Sequence, residues 1–390
     1  MIPESFIQEL LHRTDLVDLI DGFVPLKKAG ANFAACCPFH SEKSPSFTVS
    51  PTKQFYHCFG CGAHGTAIGF LMEYSGLGFI DAVKDLAGRT GMQLPEQDGR
   101  NTPSGPKLSS LTEVMDIAAR YYYEQLKRSE KAIDYLRNRG VSGAIAQKFG
   151  IGYAPNGSQN LGTAFEDYTR TDLQQTGMVI KHETGRLYDR FRDRIMFPIK
   201  NQKGETIAFG GRVLGAGEPK YLNSPETPLF EKGRELFGLP QARSALRDTN
   251  TAVVVEGYMD VVALAQHGIG NAVATLGTAT TATHVQKLLR QVDRIVYCFD
   301  GDSAGKKAAW RALENSLEAF PEQKSIGFVF LPERDDPDSV VRRQGKDAFE
   351  RMVAQALPLS EFLLRELSTR CDMTSAEGRA KLVAEAKPLL

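Results

Sequence analysis

The sequence predicts a multi-domain α/β protein, and three observations support this prediction. At 390 residues the chain is too long for one ordinary hydrophobic core. Residues 98–107 (DGRNTPSGPK) are rich in Gly, Pro, Ser and Asn without apolar periodicity, which predicts a flexible linker. Residues 251–331 alternate continuous apolar strands with helical segments. This alternation indicates a parallel sheet that is covered on both faces.

The predicted linker separates a small N-terminal domain, residues 1–97, from a larger region. In that region we expect a mixed α/β, basic subdomain over residues 108–250, whose first helix begins with a capping box of Ser110 and Glu113. A parallel α/β subdomain follows over residues 251–338. The remaining residues, 339–390, are predicted to be helical and to form a truncated subdomain.

Residues 195–213 are predicted to form a β-hairpin, because two short apolar runs flank the turn residues 201–204. Pro198 lies within the first run. Since proline cannot donate a hydrogen bond to a neighbouring strand, we expect this strand not to be central in its sheet.

The chain carries 47 basic and 47 acidic residues, but these are unevenly distributed. Residues 186–247 contain twelve Lys or Arg against seven Asp or Glu, whereas residues 251–338 contain eight against twelve. A basic segment therefore precedes an acidic one, as expected of a protein that holds both a polyanion and metal ions. The opening residues are acidic and no apolar run is long enough to span a bilayer, so we expect a cytoplasmic protein without membrane contact.

Two pairs of possible metal ligands lie in the N-terminal domain, Cys37 with His40 and Cys58 with Cys61, each pair separated by two residues. This spacing predicts a tetrahedral Cys3His zinc site. The site should be structural, since all four positions are filled by protein. Neighbouring residues compete as ligands, Cys36 with Cys37 and His57 or His64 with His40, although only the chosen pair reproduces the two-residue gap.

The segments FTVS and QFYHC between the ligand pairs are expected to be strands of a zinc ribbon, with Gly60 and Gly62 supplying unusual backbone angles. Aromatic and basic residues on this ribbon could stack on bases or touch phosphate, although each alone is more often a packing residue. They are Phe47, Lys53, Phe55 and Tyr56.

Acidic residues follow three of the predicted parallel strands. Glu256 ends the first, Asp300 and Asp302 follow the second, and the acids around residues 335–338 follow the third. Because ligands bind beyond the carboxyl ends of parallel strands, these carboxylates should share one cleft. Such a set suits Mg²⁺, which takes hard oxygen ligands and retains water. Asp260 is either a positioning residue or an ordinary helix residue.

Basic residues upstream are candidates for binding phosphate. Arg212, Lys220 and Lys232 are expected in turn-rich segments where the backbone can approach a triphosphate or template closely. The alternative is a solvated positive face. For Arg190, Arg192 and Arg194, which alternate with acids, internal ion pairing is a strong alternative.

Several long motifs resemble those of the DnaG-type bacterial primases, over essentially the whole chain. CCPFHSEKSPSF with YHCFGCGAHG is similar to their zinc motif, FGGRVLG and PKYLNSPETPLFEKGRELFGL to their basic motifs, and EGYMD with DGD to their Toprim motif. The resemblance implies an N-terminal zinc ribbon, a mixed α/β subdomain, a Toprim-like parallel sheet and a C-terminal helical segment. It also implies a polymerase that makes short RNA primers from ribonucleoside triphosphates on single-stranded DNA at the bacterial replication fork.

The resemblance further implies particular residue roles. Zinc would be held by Cys37, His40, Cys58 and Cys61, and one or two Mg²⁺ or Mn²⁺ ions by Glu256, Asp300 and Asp302, with Asp260, Asp336 and Asp338 as further candidates. Nucleotide or template would contact Arg139, Arg212, Lys220, Asn223 and Lys232. The family also carries a C-terminal domain that binds the replicative helicase. We expect that domain to be absent, because the chain stops early.

Two other hypotheses fit parts of the pattern. A metal-dependent phosphohydrolase, or another Toprim enzyme, would use the D-x-D at Asp300 and Asp302, in the first case with Asp300 as a phosphorylated nucleophile. A non-catalytic zinc-ribbon adaptor would bind DNA and leave the acidic cluster structural. The first leaves the zinc site unexplained, and the second predicts template binding without nucleotide incorporation.

Overall fold

The computed structural model describes residues 3–40, 42, 44–75, 77, 79–92, 108–215, 217–277, 279–319, 324–333 and 335–389. The chain forms two compact units, Met1–Pro103 and Ser104–Leu390. The linker expected at residues 98–107 lies outside the described residues.

The N-terminal unit is a five-stranded antiparallel sheet, in the order β1-β2-β3-β4-β5, with four helices. Phe47, Tyr56 and Phe70 are fully buried between sheet and helices and form its core. The two segments predicted as ribbon strands form β3 and β4, as expected. The elements are α1 (Glu4–Arg13), α2 (Leu16–Asp21), β1 (Lys27–Ala29), β2 (Asn32–Ala35), β3 (Phe47–Ser50), β4 (Phe55–Cys58), β5 (His64–Gly65), α3 (Ala67–Ser75) and α4 (Phe79–Thr90).

The second unit begins with helices that cover a four-stranded antiparallel sheet, in the order β11-β10-β9-β6. Its elements are α5 (Leu108–Arg128), α6 (Glu130–Asn138), α7 (Gly143–Phe149), β6 (Gly152–Ala154), α8 (Thr171–Gln175), β7 (Val179–Lys181), β8 (Leu187–Asp189), β9 (Arg194–Lys200), β10 (Thr206–Val213) and β11 (Tyr221–Asn223). The predicted capping box is wrong. Ser110 lies inside α5, and a residue with helical backbone cannot be the N-cap.

The predicted hairpin is formed by β9 and β10. The expectation from Pro198 is wrong, because β9 has β10 on one side and β6 on the other. The reason is local: β6 pairs with β9 only opposite Arg194, Ile195 and Met196. Pro198 therefore lies beyond the part of the strand that has two neighbours.

The parallel sheet was predicted correctly. β12, β13, β14 and β15 are parallel, and β16 joins one edge antiparallel, in the order β13-β12-β14-β15-β16. The elements are α9 (Leu239–Thr249), β12 (Thr251–Val255), α10 (Tyr258–Gln266), β13 (Ala272–Ala274), α11 (Ala282–Leu289), β14 (Arg294–Phe299), α12 (Ser303–Ala319), β15 (Ser325–Phe330), α13 (Pro337–Gln344), α14 (Lys346–Ala354), β16 (Leu357–Pro358), α15 (Leu359–Ser368) and α16 (Ala376–Ala386).

The last two helices share the hydrophobic core of this sheet. Phe362 of α15 lies 4.6 Å from Phe328 of β15, measured between ring centroids, and Leu367 is buried in the same cluster. The guanidinium of Arg370 lies 4.2 Å above the ring of Trp310 on α12. Within the described residues, no helix combines the length and apolarity needed to cross a membrane.

Candidate metal and nucleic-acid sites

The four predicted zinc ligands meet in the N-terminal unit. One ligand atom from each of Cys37, His40, Cys58 and Cys61 lies within 4.8 Å of the others. The Sγ atoms of Cys37 and Cys61 are 3.7 Å apart. This separation matches the roughly 3.8 Å expected between sulfurs that share a tetrahedral zinc at about 2.3 Å. The competing Cys36, His57 and His64 do not belong to the group.

A carboxylate supports the histidine ligand. Nδ1 of His40 faces Cys58 Sγ at 3.7 Å, while Nε2 lies 3.3 Å from Oε2 of Glu42. Glu42 also accepts hydrogen bonds from the backbone N–H of Cys37 at 2.6 Å and of Ser46 at 3.0 Å. Such a carboxylate fixes the orientation of a ligating imidazole and increases its basicity. Glu42 was not predicted, since it lies outside the ligand spacing.

Gly60 and Gly62, beside the second pair of ligands, are required for different reasons. Gly62 has φ +78°, the left-handed conformation that was predicted. Gly60 instead avoids a collision, because a Cβ there would lie 2.7 Å from Nε2 of His40 and 2.8 Å from Oγ of Ser46. A side chain at position 60 would therefore push the histidine ligand away.

The predicted base-stacking surface is partly wrong. Phe47 and Tyr56 are fully buried and cannot reach a base, whereas Lys53 and Phe55 are exposed. The sequence analysis missed Phe59, which is 75% exposed. It lies between two ligands in the Cys-Phe-Gly-Cys knuckle, and this position could have suggested its exposure.

In the second unit, a cleft of about 330 Å³ lies beyond the ends of β12 and β14. It brings together most of the predicted residues, and its wall also includes Tyr221, Tyr258, Thr275 and Gly277. Nine predicted site residues line it: Arg139, Arg212, Lys220, Asn223, Glu256, Asp260, Asp300, Asp336 and Asp338. Asp302 and Lys232 do not line this cleft.

Glu256 and Asp300 are neighbours across adjacent strands. The backbone N–H of Asp300 donates to Oε1 of Glu256 at 3.4 Å. Asp302 is exposed beside them, and its Oδ1 accepts from the backbone N–H of Gly305 at 2.7 Å in the first turn of α12. This turn holds the Asp300-Gly-Asp302 segment at the carboxyl end of β14, where the motif predicted it.

The electrostatics of the cleft favour a cation. Burial, assisted by Glu256, raises the pKa of Asp300 to about 6, and burial also raises the pKa of Glu256. Burial together with Asp336, Asp300 and Asp338 raises the pKa of Asp260 to about 8. Among the described residues, only the zinc group brings three or more ligand atoms within 4.8 Å. The acids are thus spaced openly, as suits Mg²⁺ that retains water and binds phosphate.

The outer acids have partners of their own. Asp260 accepts from the backbone N–H of Gly257 at 3.1 Å, and Asp336 accepts from that of Ser339 at 2.7 Å, so each stabilises a helix N-terminus. Asp338 lies 2.5 Å from the guanidinium of Arg342 and 3.6 Å from that of Arg139. Two arginines therefore compensate the charge of Asp338 already.

The expectation that Arg212 lies in a turn is wrong, because it is part of β10. The preceding glycines are required by packing. A Cβ at Gly210 would lie 2.4 Å from the Tyr258 ring, and one at Gly211 would lie 2.9 Å from Phe191. They allow close contact between side chains and the sheet, which the motif alone could not distinguish from close approach of phosphate.

Arg212 is nevertheless directed into the cleft. Its side chain is buried and donates to the hydroxyl of Tyr221, whose ring lies 5.0 Å from the guanidinium carbon. Its buried Nε has no hydrogen-bond partner in the described part of the chain. Arg212 lines the cleft, and its guanidinium has more N–H donors than the contact with Tyr221 uses, so it is a suitable donor for phosphate oxygen.

A second cavity, of about 490 Å³, lies on the β9-β10-β11 sheet and is rich in arginine. Arg190 donates to the carbonyl of Asn223 at 3.0 Å, and Arg194 donates to that of Pro219 at 2.8 Å. Burial lowers the pKa of both guanidinium groups. The nearby Asp193 pairs with Lys131 instead, at 2.8 Å. For Arg190 and Arg194, these hydrogen bonds go to backbone carbonyls, not to the acids with which the arginines alternate.

Four families match parts of this chain, and three of them together cover most of residues 2–341. Residues 2–102 match the CHC2 zinc finger, residues 121–243 the N-terminal domain of the DNA primase catalytic core, and residues 253–341 the Toprim-like family. The structure and these matches agree on a multi-domain α/β protein with a zinc ribbon, a catalytic core and C-terminal helices.

Curated relatives are DNA primases. That of Neisseria meningitidis serogroup A is 56% identical over 399 residues, covering 100% of this chain and 67% of the relative. That of Pseudomonas aeruginosa is 52% identical over 400 residues, covering 100% of this chain and 60% of the relative. The chain therefore spans 60–67% of the length of these two relatives.

Solved structures of primase domains are also similar to this chain, in sequence and in fold. The DnaG primase catalytic domain bound to single-stranded DNA superposes with a TM-score of 0.69 at 46% identity, covering 72% of this chain and 92% of the other. The zinc-binding and RNA polymerase domains of Aquifex aeolicus primase superpose with a TM-score of 0.63 at 33% identity, covering 98% and 91%.

One prediction is overturned. Residues 360–390 match the DnaB-helicase binding domain of primase, so the expectation that this domain is absent is wrong. That expectation relied on chain length, whereas the matching residues form α15 and α16. With the zinc finger, the catalytic core and the helicase-binding match all in the family order, the chain belongs to the DnaG-type bacterial DNA primases.

Proposed function

We propose that Glu256, Asp300 and Asp302 hold the magnesium with which this DNA primase synthesises RNA primers. One observation carries the proposal: the carboxylates at the ends of β12 and β14 share a cleft with the guanidinium group of Arg212. A cation site next to a phosphate donor is the arrangement that nucleotidyl transfer needs. We include Asp302 because it is exposed beside Asp300, although its side chain does not line the cleft.

In the proposed reaction the 3′-hydroxyl of one ribonucleotide attacks the α-phosphate of the next. The new bond joins that oxygen to phosphorus, the bond from the α-phosphate to pyrophosphate breaks, and the hydroxyl proton leaves to water. When bound, one or two magnesium ions would lower the pKa of the attacking hydroxyl and compensate the charge of the pyrophosphate. Arg212 and Lys220 would bind the triphosphate, and no covalent protein intermediate is needed.

We propose that Arg139 and Lys232 assist in binding nucleotide or template, and that the arginine-rich cavity binds the template backbone. The cavity fits this role because Arg190 and Arg194 keep their charges while bonding only neutral carbonyls. Phosphate contacts of this kind are independent of sequence and sensitive to salt.

Asn223 is the weakest candidate for a nucleotide contact. Nδ2 donates to the carbonyl of Leu276 at 2.8 Å, and Oδ1 accepts from the hydroxyl of Tyr258 at 2.7 Å. Both ends of its amide are thus occupied by the protein. We propose that Asn223 shapes the cleft and does not itself bind the ligand.

The zinc ribbon is proposed to hold its metal on Cys37, His40, Cys58 and Cys61 and to contact single-stranded template near the start site. Exposed aromatic side chains support this proposal, because every base can stack on an aromatic ring. Lys53 would add a phosphate contact beside Phe55 and Phe59. All of these proposed template contacts are made by residues of the zinc ribbon.

Residues 360–390 are proposed to contribute to binding of the replicative helicase, at the bacterial replication fork in the cytoplasm. The family match over these residues supports this proposal. A pull-down with the cognate helicase that compares the chain with a Leu364→Glu variant would test it, since Leu364 on α15 is 52% exposed.

The decisive experiment measures incorporation of labelled ribonucleotides on single-stranded DNA with and without magnesium. Asp300→Asn and Glu256→Gln should each reduce synthesis at least about 100-fold, the usual loss when a group that stabilises the transition state is removed. Asp347→Asn, on the exposed first turn of α14, is the matched control and should keep full activity. Normal synthesis by either acid variant would show that the metal is held elsewhere.

A further inference from the structure

A fully buried histidine on α11 contacts the loop that carries Lys232. We define the Lys232 loop as residues 224–238, between β11 and α9. Nε2 of His284 lies 3.0 Å from the carbonyl oxygen of Lys232, and Nδ1 lies 3.2 Å from the backbone nitrogen of Thr281. A carbonyl can only accept and a backbone N–H can only donate. The ring must therefore carry its proton on Nε2 and be neutral.

Two neighbours on α11 hold the same loop. The Thr281 hydroxyl donates to the carbonyl of Gly233 at 2.6 Å and accepts from the backbone N–H of His284 at 3.2 Å. The ammonium of Lys287 lies 3.0 Å from the carboxylate of Glu235. The N-cap residue of α11 and two residues of the helix, spaced three apart, thus contact positions 232, 233 and 235 of the loop.

The loop is also fixed at other points. The backbone N–H of Lys232 donates to the carboxylate of Glu226 at 3.2 Å, so both polar backbone groups of Lys232 have partners. Phe237 exchanges two backbone hydrogen bonds with Ala274, at 2.9 and 3.0 Å. Thr275 and Gly277, which follow Ala274, line the acidic cleft. The loop is therefore bound to the chain segment that forms the cleft wall.

We infer that His284 is a positioning residue of the primase, which fixes the backbone of Lys232 against α11, while Phe237 joins the same loop to the segment that forms the wall of the acidic cleft. This inference rests on the proposed role of Lys232 in binding nucleotide or template. His284 is completely buried and cannot contact a ligand directly, so its effect must pass through the lysine. A neutral imidazole suits the task because it can donate and accept at the same time.

The test compares variants by KM for ribonucleotides, affinity for single-stranded DNA, and kcat. Lys232→Met should weaken one of the two affinities about tenfold or more, as expected for a lost charge-assisted contact. His284→Leu should weaken the same affinity with little change in kcat. His284→Gln, which keeps a side-chain N–H, should restore it. His267→Leu, a histidine at the end of α10 that bonds only its own helix, is the control.

The double variant separates the two proposals. If His284 acts through Lys232, adding His284→Leu to Lys232→Met should cause no further loss of affinity. Additive losses, or a folded His284→Leu protein with unchanged affinities, would overturn the inference while leaving the role of Lys232 intact. An unaffected Lys232→Met protein would instead show that the proposed role of Lys232 is wrong, and the inference with it. Thermal unfolding checks folding, and Thr281→Val replaces His284→Leu if that variant does not fold.

Discussion

The hydroxyl of Tyr258 donates to the side-chain oxygen of Asn223 across 2.7 Å, joining the parallel sheet region to β11 of the antiparallel sheet. The Tyr258 ring stacks on Phe197 of β9, with centroids 5.4 Å apart and planes at 8°. It also lies against Gly210, where a Cβ would collide with it. One side chain at the start of α10 therefore connects both sheets at the floor of the cleft.

Asn223→Ala should destabilise the protein more than Tyr258→Phe does. The alanine variant removes both hydrogen bonds and leaves the Leu276 carbonyl without its donor, at about 1–3 kcal/mol, whereas the phenylalanine variant loses one bond of about 1 kcal/mol. Thermal unfolding measures the difference. Because Asn223 is proposed to shape the cleft, KM should rise in both variants. A rise in KM for Asn223→Ala with unchanged stability would instead indicate a direct ligand contact.

Asp260→Asn should stabilise the magnesium-free protein at alkaline pH. Burial raises the pKa of Asp260 to about 8, so between pH 4 and 8 the folded state binds a proton that the unfolded chain has released. Stability is therefore present at low pH and decreases as the pH rises through this range. Asparagine cannot ionise, and the variant should gain at least about 1 kcal/mol at pH 8. Parallel stability profiles for the variant and the wild type would contradict this prediction.

His284→Gln should reduce the loss of stability in acid. Burial, with Lys287 nearby, lowers the pKa of His284 to about 4 from 6.5. Between these values the unfolded chain binds a proton that the folded state does not, so stability falls as the pH falls. The loss approaches about 3 kcal/mol, at about 1.4 kcal/mol per pKa unit. Denaturant unfolding at pH 6.5 and 4.5 should show about 2 kcal/mol of this loss, with His267→Gln as control.

Cys61→Ala should release zinc and impair initiation more than elongation of an existing primer. Cys36→Ala, the exposed neighbour outside the ligand group, should keep both zinc and activity. Metal content and the two activities are measured on the same samples. Equal losses of initiation and elongation would argue against a role in start-site selection.

Glu42→Gln should weaken zinc binding without removing a ligand. The lost carboxylate no longer orients His40, and the affinity should decrease about 10- to 100-fold, as is typical for such partners. Competition with a chelator measures the affinity. An unchanged affinity would mean that backbone geometry alone orients the imidazole.

The features that could be predicted from the sequence depend on few neighbouring residues. Two such features are the spacing of the zinc ligands and the position of acids directly after apolar strands. Both are local sequence patterns that the fold does not change. The same holds for the alternation that predicted the parallel sheet. Their meaning does not depend on what packs against them, so the sequence could predict the zinc-ligand group and most of the acids that line the cleft.

The features that could not be predicted depend on partners distant in sequence. Pro198 is tolerated because β6 is short, and Gly210 is required because Tyr258 lies above it. Asn223 is occupied by residues more than thirty positions away. The role of His284 likewise depends on a loop fifty-two residues earlier. Sequence spacing contains no information about such contacts.

The packing of α15 against the parallel sheet affects where the chain can be cut into fragments for experiments. Residues 360–390 match a family defined by helicase binding, yet Phe362 and Leu367 belong to the hydrophobic core of the parallel sheet. Cutting the chain at residue 358 would therefore expose Phe328 to water and weaken the sheet that carries the proposed magnesium ligands. The boundary given by the family match and the boundary given by core packing therefore fall at different places.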